Sequence, residues 1–141
     1  MNKIPGDLLS GWDVVVVDDE GDSLEVARYI LDFYGANVSV GNNGQEALEI
    51  IRSVRPKFVI SDLSMPDMDG WELLNRLKDD ISTRDIPVIA LTAHAMTGDR
   101  ERAISAGFHN YLTKPLTAST FIEQLLRLLL DIPVLSEQLN L

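Results

Sequence analysis

Two short stretches of this sequence end in residues that could do phosphate chemistry. DDE at 18–20 directly follows the valine run VVVV at 14–17, and Asp62 directly follows FVIS at 58–61. An apolar run that stops on a carboxylate presents it at the tip of a buried strand. Thr92 closes a third such run, IPVIALT at 86–92, and Thr113 and Lys114 follow a fourth, within FHNYLT at 108–113. Carboxylates, a hydroxyl and an ammonium form the usual set for phosphoryl transfer: a carboxylate can be the nucleophile, while a hard cation and an ammonium neutralise the phosphoryl oxygens. Each residue taken alone has a plain structural explanation. Asp18, Asp19 or Asp22 can cap a following helix, Asp62 can form an Asx turn, Thr92 suits a strand and Lys114 a solvated surface. Their joint occurrence at four separate strand ends is what favours chemistry.

The elements that would position them follow from the apolar pattern. Unalternating runs rich in β-branched residues occur at 13–18, 37–41, 57–62, 86–92 and 108–113, and such runs suit parallel strands covered on both faces. Helical patterns lie between them. Asp22 or Ser23 can cap SLEVARYILDFY, which Gly35 ends; GQEALEIIRSV follows Asn43 and stops before Pro56. Asp69 can cap WELLNRLKDD, GDRERAISA ends at Gly107, and TASTFIEQLLRLLLD starts after Thr117. Five strand–helix units in strict alternation predict an α/β doubly wound parallel sheet flanked by five helices. They leave no room for a second domain, so a single domain over 1–141 is expected, with its core at about 11–131 between a short N-terminal extension and a C-terminal tail.

Open sheets of this kind bind ligands beyond the carboxyl ends of their strands. If the first and third strands are neighbours, Asp18, Asp19 and Asp62 crowd together, and two carboxylates ~4 Å apart repel by about 4 kcal/mol at an effective dielectric of 20. A cation or a proton must intervene. An oxygen-only site with several carboxylates and room for water suits Mg²⁺.

Composition narrows the classes. The 141 residues carry 12 basic and 22 acidic side chains, a net charge of -10, which opposes direct binding of nucleic acid. No apolar run approaches the ~20 residues needed to span a bilayer, and MNKIPGDLLSGW lacks the continuous apolar stretch of a signal peptide. With no cysteine, disulfides and thiolate chemistry are excluded. A soluble cytoplasmic protein without membrane insertion is the expectation.

The motifs VVVVDDE (14–20), VISDLSMPDMDG (59–70), IALTAHAM (89–96) and YLTKPL (111–116) resemble, in order and spacing, the receiver domain of two-component response regulators. The resemblance covers roughly residues 11 to 131. It implies a flavodoxin-like sheet of order 2-1-3-4-5; CheY, a member of the family, is a standing example of that order. It implies that Asp62 accepts a phosphoryl group from a sensor histidine kinase or a histidine phosphotransfer protein, with Mg²⁺ as cofactor. Asp18, Asp19, Asp62 and the backbone carbonyl of Ser64 would form the metal site, with Asp19 the direct ligand of the acidic pair. Thr92 would bind the phosphoryl oxygen, Lys114 would pair with Asp62 or its phosphate, and Lys114–Pro115 would be a cis peptide. Thr92 and Tyr111 would form the switch. The side chains of Ser64 and His94 are expected to tune the lifetime of the acyl phosphate, whereas His109 reads as a surface residue.

The resemblance also implies an output face built from the fourth helix, fifth strand and fifth helix, where a downstream protein or a second copy would dock. The fifth helix carries Phe121, Ile122, Leu125, Leu126, Leu128, Leu129 and Leu130, more than the ~100° stripe that one-sided packing needs. Either that surplus is an interface, or the tail DIPVLSEQLNL covers it. The expected protein is a phosphoacceptor rather than a turnover enzyme, either a stand-alone regulator or a receiver excised from a hybrid histidine kinase. The alternative is an aspartyl-phosphate phosphatase of the haloacid dehalogenase type. That chemistry wants a DxD pattern on the first strand and a cap domain, and here the strand reads DDE. A flavodoxin-like nucleotide module is disfavoured because the acidic loop DDEGDSLEV would repel phosphate without a metal.

Overall fold

The computed structural model describes residues 4–93 and 98–139. Five parallel strands, β1 (Asp13–Val17), β2 (Asn37–Gly41), β3 (Phe58–Asp62), β4 (Val88–Thr92) and β5 (Asn110–Thr113), form one sheet in the order β2-β1-β3-β4-β5. The helices between and after them are α1 (Gly21–Phe33), α2 (Gly44–Val54), α3 (Gly70–Asp79), α4 (Asp99–Ala106), α5 (Phe121–Leu130) and a final turn, α6 (Pro133–Ser136). The expected α/β class and strand order are both present, with this sixth helix added.

The central strands β1, β3 and β4 are buried on both faces because both faces are covered. Val14 and Val16 face one core cluster with α1 and α5, while Val15 and Val17 face a second with α2 and α3. All four valines have no exposed surface. Burying each contributes roughly 1.5–3 kcal/mol, so four consecutive valines commit this segment to the centre of the sheet.

Side-chain caps set the starts of α2 and α3. Asn43 accepts a hydrogen bond from Glu46 N at 2.8 Å and Asp69 one from Glu72 N at 2.9 Å, as their positions predict. At α1 the structure differs from expectation. The helix begins at Gly21, ahead of both Asp22 and Ser23, and Glu20 occupies the cap position without a side-chain cap bond. The reason is that Asp18 already turns the chain, accepting from Glu20 N at 2.9 Å.

Both chain extensions are part of the core. Leu8 and Leu9 are fully enclosed and Trp12 nearly so; Leu9 N donates to Tyr34 O at 2.9 Å and Gly11 N to Gly35 O at 3.2 Å. At the other end, Ile132 and Leu135 join the same cluster beside α5. Of the seven apolar residues on α5, Phe121, Ile122, Leu125 and Leu129 are buried, Leu126 and Leu128 pack partly against the core, and Leu130 is exposed. The surplus stripe is therefore largely covered within the molecule, by the tail among other elements.

Candidate functional site

The strand order brings the tips of β1, β3, β4 and β5 to one edge. Parallel register pairs Val17 with Ser61, Asp62 with Leu91, and Thr92 with Thr113, so the residues just beyond them lie side by side. Lys114 N donates to Thr92 O at 2.8 Å and Leu63 N to Leu91 O at 3.1 Å, tying the loops to the sheet. The Lys114–Pro115 peptide is cis, as expected.

Asp18 and Asp62 are both buried at this edge, with relative exposures of 0% and 4%. Between them lies the Lys114 ammonium, 2.9 Å from Asp18 Oδ2, 3.3 Å from Asp62 Oδ2 and 2.6 Å from Glu20 Oε1. Asp62 Oδ1 accepts from Ser64 N at 3.2 Å, which turns the exposed Ser64 into the loop after β3. That loop stays close because Gly70 N donates to Leu63 O at 3.0 Å, at a position where a Cβ would collide with the Asp62 carbonyl.

The electrostatics follow from burial and crowding. Loss of water around Asp62 pushes its carboxyl up to about 6, helped by neighbouring Asp18 and opposed by the Ser64 amide and Lys114. Burial alone would lower the Lys114 ammonium, but hydrogen bonds to Glu20 and Asp18 outweigh it and hold the group above its usual range. Lys114 is therefore a permanent cation here.

The acidic pair divides differently from expectation. Carboxylate oxygens of Asp18, Glu20 and Asp62 lie within 4.8 Å of one another, whereas Asp19 is exposed and outside that group. The turn made by Asp18 sends residue 19 outward and brings residue 20 back. Glu20 was visible in the sequence only as the third letter of DDE, with no role attached. A divalent cation fits the buried pair of this group, Asp18 and Asp62. The oxygens are hard, they converge, and Asp18 Oδ2, though near Lys114, is a fully buried acceptor without a hydrogen bond of sound geometry.

Thr92 is buried at the end of β4, and Tyr111 is half-buried on β5 against the α2–α3 side of the core. His94 lies outside the described residues. His109 lies at the surface, and the incomplete hydration of its ring, then the charge of nearby Lys78, hold its imidazole below the usual value. An open groove beside the site is lined by Arg100 of α4, Tyr111 and Thr113 of β5, and Gln124, Arg127 and Leu128 of α5. Among the described residues, no helix is long and apolar enough to cross a membrane.

Comparison with known proteins agrees with this geometry. A family profile described as "Response regulator receiver domain" matches residues 14–126. The polar-differentiation response regulator DivK of Brucella anthropi is 38% identical over 110 residues, covering 78% of this chain and 89% of DivK. The crystal structure of chemotaxis protein CheY4 of Vibrio cholerae superposes with a TM-score of 0.77 at 26% identity, over 84% of this chain and 98% of CheY4. The receiver domain of sensor histidine kinase PA1611 from Pseudomonas aeruginosa, solved with a magnesium ion coordinated in the active site cleft, gives 0.73 at 29% identity, over 84% and 97% of the two chains. The buried Asp18–Lys114–Asp62 edge thus sits in a fold and sequence shared with these proteins, and the chain belongs to the response regulator receiver domain family, the phosphoacceptor modules of two-component signalling.

Proposed function

We infer that Asp62 is the residue that accepts the phosphoryl group, from a phosphohistidine on a sensor kinase or phosphotransfer protein. The observation that carries this is the placement of Asp62: a buried carboxylate at a strand tip, 3.3 Å from an ammonium that also holds Asp18. In the reaction, a carboxylate oxygen of Asp62 attacks phosphorus in line with the leaving imidazole. The oxygen–phosphorus bond forms as the phosphorus–nitrogen bond breaks, and the imidazole keeps the electron pair and gains a proton. Lys114 stands where it can neutralise a phosphoryl oxygen, and Thr92, one strand over, can donate its hydroxyl to another.

Mg²⁺ belongs to the same proposal. Asp18 and Asp62 would hold it with the Ser64 carbonyl and Asp19; convergence and burial support the first two, and the family resemblance supports the others. When bound, the ion offsets the charge of the carboxylates and of the transferring group. The acyl phosphate is then lost to water, which returns Asp62 to its free carboxylate. Ser64 is exposed beside Asp62, consistent with a part in setting that lifetime.

Tyr111 and Thr92 serve as the switch in this reading, with output through the groove between α4 and α5, where Tyr111 lines the wall. A downstream protein or a second copy docks there, and the acidic surface argues against nucleic acid. A cytoplasmic setting is part of the proposal, in keeping with the partner kinases. Incubation with Mg²⁺ and acetyl phosphate tests it: the wild-type protein should gain one phosphoryl group by mass spectrometry and Asp62→Asn none. A gain that persists unchanged in Asp62→Asn would reject the assignment.

A further inference from the structure

We propose that Glu20 is a positioning residue that acts through Lys114, tethering the ammonium in the resting protein and slowing phosphoryl uptake by Asp62. The inference rests on the phosphoacceptor reading above. Its ground is a ranking of distances: Lys114 Nζ is 2.6 Å from Glu20, 2.9 Å from Asp18 and 3.3 Å from Asp62. The closest partner is the one carboxylate of the three that the proposed chemistry does not use.

The two ends of this pair differ in environment. The Lys114 side chain is 8% exposed, whereas that of Glu20 is 62% exposed. Ion pairs exposed at both ends contribute little because water screens them. Here the cation has lost most of its water and the anion has kept its own, so Glu20 binds the ammonium without a large desolvation cost. Asp18, by contrast, is enclosed and needs a counter-ion in every state.

Two effects of Glu20 then act in one direction. A phosphoryl group on Asp62 needs Lys114, and Glu20 competes for it. The Glu20 carboxylate also lies within 4.8 Å of the Asp18 and Asp62 oxygens, adding negative charge where an anionic donor must approach. The affected step forms the Asp62 oxygen–phosphorus bond and breaks the donor's phosphorus–oxygen bond; with acetyl phosphate, acetate leaves with the electron pair.

Glu20→Gln removes the charge and keeps the shape. With Mg²⁺ and acetyl phosphate, its phosphorylation rate constant is expected to rise about three- to tenfold, the size of one partly screened charge near the reacting group. The gain should shrink as ionic strength is raised, which a purely structural role would not produce. In the resting metal-free protein, the Lys114 ¹⁵Nζ resonance should shift and its protons should exchange faster with water. Glu20→Asp, which keeps the charge on a shorter arm, should react at a rate between the two. An unchanged or slower rate in Glu20→Gln, or an unmoved Lys114 resonance, would overturn the proposal. So would a slower rate with weaker Mg²⁺ binding by calorimetry, which would make Glu20 a metal ligand. If the wild-type protein takes up no phosphate at all, the phosphoacceptor reading and this inference fall together; a silent Lys114 resonance in an active protein removes the tether alone.

Discussion

Asp18 and Asp62, far apart in the chain and both buried, share the single ammonium of Lys114. Each buried carboxylate has this ammonium as its close cationic partner. The arrangement makes Lys114 a structural counter-ion as well as a reactive group, and the stability of the resting protein depends on it.

Replacing Lys114 with Met keeps the volume and removes the charge. The buried Asp18 is then left without a counter-ion, and metal-free stability should fall by about 3 kcal/mol in urea unfolding. Adding Mg²⁺ should restore part of that loss, and restore little in Lys114→Met/Asp18→Asn, where the buried charge is gone.

The raised Asp62 carboxyl sets a pH dependence with a definite sign. Burial favours the protonated form, so the folded protein binds this proton more tightly than the unfolded chain does. The associated stability is present at pH values below the ordinary carboxyl range, near 3.8, and is lost as pH rises through about 6. Asp62→Asn has no such loss. Measured without metal, its stability advantage over wild type should grow between about pH 4 and pH 7 to about 1–3 kcal/mol. An advantage independent of pH would exclude the burial of Asp62 as its source.

Gly70 and Gly21 should respond oppositely to alanine. At Gly70 a Cβ would collide with the Asp62 carbonyl and lie 2.9 Å from Leu63 Cα, so the β3–α3 loop must move. A loss of about 2–4 kcal/mol and slower phosphorylation are expected for Gly70→Ala. Gly21 begins α1 with nothing within 4 Å of the added atom, and Gly21→Ala should raise stability by up to about 1 kcal/mol. Thermal and urea unfolding of the two variants would check both signs.

Leu8 and Leu9 lie outside the matched family segment yet have no exposed surface. Leu8→Ala and Leu9→Ala should each cost about 2–5 kcal/mol, the range for large-to-small changes in a packed core. A chain starting at residue 12 should unfold at a markedly lower urea concentration than the full chain. Equal midpoints would show that the extension only rests on the surface.

Much of this protein was legible in its sequence because the signals were local. A run of four valines suits a strand covered on both faces, five short apolar runs alternating with helical patterns point to a parallel α/β sheet, and Asn43 and Asp69 each stand one turn from the amides they cap. That Asp62, Thr92 and Lys114 would share one edge could be read because the first two end strands and the third follows one, and strand ends share one edge in this topology. What the sequence left open depends on distant contacts and on the path of single turns. Leu8, Leu9, Ile132 and Leu135 look like ends of the chain, and only the tertiary packing shows that they join the core cluster with α1 and α5. Within DDE, three adjacent acids look alike; the turn made by Asp18 decided that Asp19 faces water and that Glu20 returns to Lys114. Side-chain direction at a strand tip is set by backbone hydrogen bonds that residue type alone does not encode.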